Sequence, residues 1–95
     1  MTRLVFAPRA STDLEEIGDY IARDNPARAV SFVDELREHC GAILAAPAAY
    51  ARRGELGAGI RIAVHGRYLI LFRANADVVR IERILHGARR RPRSL

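Results

Sequence analysis

Ninety-five residues are enough for one domain, taken here as residues 1–95, and too few for two. Hydrophobic residues make up 49% of the chain and charged residues 28%, which excludes a disordered or collagen-like polymer. The apolar runs reach only five residues, as in Tyr68 to Phe72, far short of the ~20 that cross a bilayer. The opening MTRLVFAPRAST has too short an apolar stretch for a signal peptide. Cys40 is the single cysteine, so no internal disulfide is possible, and its place in a helical pattern reads as an inert core thiol. The expected compartment is the cytoplasm, with no membrane partner.

All 16 basic residues are arginine, against 11 acids, for a net charge of +5. Residues 1–40 hold five Arg and eight Asp or Glu, a balance of −3; residues 41–95 hold eleven Arg and three acids, a balance of +8. That asymmetry points to an anionic partner on the C-terminal side: nucleic acid, an enzyme that handles it, or an acidic protein segment.

In chain order, Leu4-Val5-Phe6 is a short strand signal ended by Pro8. Thr12-Asp13-Leu14-Glu15 has the spacing of a capping box, with Leu14, Ile17 and Ile21 following at helical intervals. Asn25-Pro26 closes this helix and opens a second, Asn as N-cap and Pro in the first turn. Ala29, Val33, Leu36, Cys40 and Ile43 form its apolar stripe, and Pro47 stops it. Two amphipathic helices joined so tightly should pack as an antiparallel hairpin.

Residues 47–59 read as a loop. Ile60, Ile62 and Val64 then alternate with Arg61, Ala63 and His65, as in a half-exposed strand, with a tight turn at His65-Gly66. Tyr68 to Phe72 is apolar on both faces, the mark of a central strand. Asn75-Ala76-Asp77 turns the chain into a last strand, where Val79 and Ile81 alternate with Arg80 and Glu82 up to about Leu85. The fold class is therefore α+β in the order β-α-α-β-β-β. A helix hairpin covers one face of a small sheet that ends in an antiparallel three-strand meander. Residues from about 90 to 95 form a basic tail expected to be mobile.

Without a bulge, Arg83 shares a face with Val79, Ile81 and Leu85. It must then meet a carboxylate, lie where the face opens to a ligand, or reach solvent at a frayed strand end. No G-x-S-x-G, P-loop, CxxC or HExxH motif is present. His65 and His86 could act as general acid or base, or be surface histidines; one Cys beside His39 makes no zinc site. Arginines 52, 53, 61, 67, 73, 83 and 89 surround the sheet and could hold a phosphate backbone or a partner carboxylate.

Three stretches, with the Asp13-Leu14-Glu15-Glu16-Ile17 helix and Pro47 ahead of Arg53, give a family likeness. They are Gly59-Ile60-Arg61-Ile62, Gly66-Arg67-Tyr68-Leu69-Ile70-Leu71-Phe72 and Arg83-Ile84-Leu85-His86-Gly87-Ala88-Arg89. Together they resemble the ParE branch of the RelE/ParE toxin superfamily, over nearly the whole chain. The resemblance implies a bacterial type II toxin that inhibits DNA gyrase without catalysis. It also implies direct neutralisation by a ParD-like ribbon-helix-helix antitoxin, with no cofactor and no metal. Target binding falls to Arg83, His86, Arg89, Arg90 and Arg91. Antitoxin binding falls to Arg61, Arg67, Tyr68 and Arg73. The alternative is a RelE-type endoribonuclease acting on mRNA at the ribosome, with Arg61, His65, His86 and Arg89 as its groups. Ribonucleolytic relatives carry two basic residues on the first meander strand, an Arg on the next, and a late Arg and Tyr. Here Ala63 and Leu69 stand at two of those places and no Tyr follows Tyr68.

Overall fold

The computed structural model describes residues 2–87; the tail expected to be mobile lies outside them. The elements are β1 (Arg3–Phe6), α1 (Pro8–Ala22), α2 (Pro26–Ile43), β2 (Ala51–Arg52), β3 (Arg61–His65), β4 (Tyr68–Ala74) and β5 (Val78–His86). Single 3-10 turns at Pro47–Ala49 and Gly54–Leu56 flank β2. The sheet order is β1-β5-β4-β3-β2. The meander pairs antiparallel, and β1 lies parallel to β5, with Leu4 opposite Val79 and Phe6 opposite Ile81. The chain between β1 and β5, the helix hairpin followed by β2 to β4, is the long connection that their parallel pairing requires.

Pro8 opens the first helix instead of merely ending the strand, since it occupies the first helical position behind Ala7. The capping box at Thr12 is therefore not formed. Thr12 lies inside α1, where its hydroxyl donates to the Pro8 carbonyl at 3.2 Å. One turn earlier than expected, the helix presents Ala10, Asp13, Leu14 and Ile17 to the interior. Asn25 does cap α2: its side chain accepts from the Arg28 amide at 3.0 Å. The helices approach closely at Gly18, where an added Cβ would lie 3.3 Å from a Val33 methyl.

Leu14, Leu36, Cys40 and Ile43 meet Ala63, Ile70, Phe72, Val79, Ile81 and Ile84 in the helix-side core. The opposite face has its own cluster, in which Leu56 covers Ile60, Leu69 and Leu71. The loop thus shields what the helices cannot reach, and β4 is covered on both sides as its composition implies. The inward face of β3 is that of Ala63, not that of Val64, which is 61% exposed. Residues 47–59 are not loop alone, because Ala51 and Arg52 pair with Ile62 and Arg61. Gly66 takes φ +59° in the β3–β4 turn, a conformation in which a Cβ is strained.

Candidate functional site

Leu71 pairs with Arg83 but Phe72 pairs with Ile81, so Glu82 is the extra residue of a bulge in β5. Beyond it Ile84 joins the helix-side core while Leu85 packs with the outer cluster. Leu85 therefore does not share a face with Val79 and Ile81. Arg83 meets a carboxylate and does not reach solvent at a frayed end. Its Nε donates to Asp13 Oδ2 at 2.8 Å and its Nη2 to Oδ1 at 3.1 Å. The buried Ile84 amide donates to the same Oδ2 at 2.9 Å. The side chains of Arg83 and Asp13 are only 15% and 9% exposed. The hydrogen bond to Asp13 raises the Arg83 pKa above its ordinary value, against the opposing effect of burial. Asp13 thus ties α1 to the end of β5. Its signal in the sequence is a lone acid inside the Ala10-Leu14-Ile17 stripe, complementary to Arg83 ahead of Ile84 and Leu85 in β5.

The arginines do not converge. Arg61 donates to the Tyr50 carbonyl at 2.7 Å, fixing the chain after α2. Arg73 donates to the Ala58 carbonyl at 2.8 Å and to Glu82 at 2.9 Å, which clamps the outer loop on the sheet. Arg67 is exposed on the β3–β4 turn and Tyr68 begins β4 beside it. These two lie at the other end of the hairpin from Arg61 and Arg73, about 15 Å along the strands. The four residues assigned to antitoxin binding are therefore two separate pairs. Of those assigned to target binding, Arg83 and His86 are close in β5, and Arg89, Arg90 and Arg91 fall outside the described residues.

The histidines do come together. His65 pairs with Tyr68, and Tyr68 with His86, so the three form one row across β3, β4 and β5. His39 of α2 closes the row from above, its Nδ1 lying 2.9 Å from that of His65, so that one ring donates and the other accepts. Burial, and then the neighbouring His65, lower the His39 pKa below the usual imidazole value. Phe32 stands edge-on to His65 at 5.6 Å and tilted to Tyr68 at 5.5 Å. Arg61 lies four residues back along β3 from His65 and is not part of this cluster. Among the described residues no group of three or more His, Cys, Asp or Glu is placed to hold a metal ion, and no helix is long and apolar enough to cross a membrane.

Among the described residues, two of the open surfaces lie beside the helix hairpin. A groove of about 530 Å³ runs between the helices, floored by Leu14, Gly18, Ala29, Val30 and Val33 and rimmed by Glu15, Asp19 and Arg37. Tyr68 and His86 of that row, with Phe32, line a second depression at the β3–β4 turn.

Two helices on one face of a mixed sheet with an antiparallel meander make a small α+β domain. A structure from the chromosomal ParDE TA system from P. aeruginosa superposes with a TM-score of 0.79 at 22% identity, covering 90% of this chain and 96% of that one. No curated protein matches the sequence. The profile of the ParE toxin of type II toxin-antitoxin system, parDE, matches residues 4–91. The chain belongs to that ParE toxin family.

Proposed function

We propose that this toxin arrests growth in the cytoplasm by binding DNA gyrase without covalent chemistry, and that a cognate ParD-like ribbon-helix-helix antitoxin neutralises it by direct contact. The observation that carries the reading is the incomplete nuclease set. Arg61 is spent on the Tyr50 carbonyl. Ala63 is 2% exposed against the helices, and Leu69 is buried on the outer face. A positioned acid, base or charge contributes about 10²–10⁴ in rate, so losing two removes most of the catalysis of such a site. His86 and the arginines at 89, 90 and 91 are the proposed gyrase contacts, with Arg83 holding the end of β5 in place through Asp13. The interhelical groove suits the apolar face of an antitoxin helix, and exposed Arg67, on the separate β3–β4 turn, suits an acid elsewhere on the same partner.

Induced expression separates the readings. Plasmid relaxation and a DNA-damage response with intact transcripts are the expected result. Transcripts cut at defined codons, with normal supercoiling, would replace this reading by the ribosome-dependent endoribonuclease of Arg61, His65, His86 and Arg89.

A further inference from the structure

The end of α1, the start of α2 and the β3–β4 turn enclose a depression of about 640 Å³, within the ~300–1,000 Å³ range of small-molecule sites. Its lining is of two kinds. Tyr20, Phe32, Tyr68 and His86 contribute rings, and Arg28 and Arg67 contribute guanidinium groups. Tyr20 is 48% exposed. Tyr68 lies 5.5 Å from Phe32, tilted by 53°, and 5.2 Å from His86, whose ring meets it edge-on. Arg28 sits 5.1 Å over Phe32 and shares its charge with Glu35, whereas Arg67 stands exposed at the rim.

We propose that this depression binds a single nucleotide, its base held flat against the rings of Tyr20 and Tyr68 and its phosphate on Arg67. Aromatic faces accept any base, and a guanidinium fork matches phosphate geometry. The polarity of the surroundings orients the ligand. A neighbouring depression shares Tyr20, Tyr68 and His86, but its far side carries Glu16 beside the ion-paired Asp13 and Arg83. A phosphate is repelled from that side and drawn toward Arg67. An acidic peptide offers a ring or an anion on separate side chains. A nucleotide carries both in one rigid unit, as the two kinds of wall require. The same chemistry is found in a free nucleoside phosphate and in an unpaired nucleotide of DNA. The inference does not rest on gyrase, and its test contains none.

Purified toxin is titrated at low salt with thymidine monophosphate, with a short labelled oligothymidylate, and with an abasic strand of equal length. Saturable binding of a base-bearing probe is expected. It should weaken about 5- to 150-fold in Tyr20→Ala, the range measured for loss of one stacking ring, and about tenfold in Arg67→Ala. Both residues lie at the surface, and each variant is scored only after its melting temperature matches the parent; Tyr20→Leu and Arg67→Gln serve in place of one that fails. Binding of the strand but not the monophosphate assigns the site to unpaired DNA, and the reverse assigns it to a free nucleotide. Three results would overturn the proposal: no binding, equal affinity for the abasic strand, or affinity unchanged in both variants. Loss of antitoxin affinity in these variants, with no nucleotide bound, would overturn it in favour of a peptide site.

Discussion

Replacing Asp13 by asparagine keeps the shape of the side chain and removes its charge. In the parent, two Arg83 donors and the Ile84 amide share the carboxylate. Asparagine has one acceptor oxygen for these donors, and its own NH₂ group must face one of them. Breaking a buried ion pair by removing one partner costs about 3–5 kcal/mol. With Arg83 still 15% exposed to water, we expect a loss of about 2–4 kcal/mol. At roughly 4–8 °C per kcal/mol for a domain of this length, the melting temperature should fall by about 8–32 °C. Denaturant unfolding of Asp13→Asn, Arg83→Met and the double variant measures the coupling, which should exceed about 1 kcal/mol. A single-variant loss under about 0.5 kcal/mol, or additivity across the cycle, would refute the view that this pair fastens α1 to β5.

Lowering the pH should weaken the fold through His39. Its folded pKa is depressed by burial and by His65, so the unfolded chain takes up the proton first. The stability held by the neutral ring is complete above the unfolded value of about 6.5 and declines as the pH falls through the folded one. Denaturant midpoints across this range should fall with pH in the parent and fall less in His39→Gln; parallel slopes would contradict the assignment. Cys40, buried and pushed up to about 11, should resist iodoacetamide at neutral pH until the protein unfolds, and rapid native-state alkylation would place it elsewhere. Asn25→Ala removes the cap of α2 and should cost about 1 kcal/mol in denaturant unfolding, an unchanged midpoint showing that the cap is idle.

The periodicity of the chain sufficed for both helices and the meander, because each rests on neighbours close in sequence. Pro8 misled because proline both ends strands and opens helices; its stronger role here is at the first helical position, which leaves Thr12 inside the helix and turns Asp13 inward. The pairing of β1 with β5 joins residues some 75 apart, as in Leu4 with Val79, and has no local signature. Nor has the bulge at Glu82, although a one-residue slip decides which of Arg83, Ile84 and Leu85 face the helices. At and just before β3 the larger side chains, Ile60, Ile62 and Val64, pointed to the wrong face. Ala63 faces the helices instead, while Ile60 is covered by Leu56 from the loop. For the site, residue types left Arg83 to meet a carboxylate, a ligand or solvent, and did not point to Asp13. The sequence also left His39 apart from His65, a contact between positions 26 apart that forms only when α2 lies across β3.

The central claim, a toxin that acts by binding gyrase, is tested most directly by titrating purified toxin into a gyrase supercoiling reaction and, in parallel, into a purified translation system carrying a defined message. The account predicts saturable loss of supercoiling with the message intact. Undiminished supercoiling at excess toxin, with the message cut at the ribosome, would contradict it.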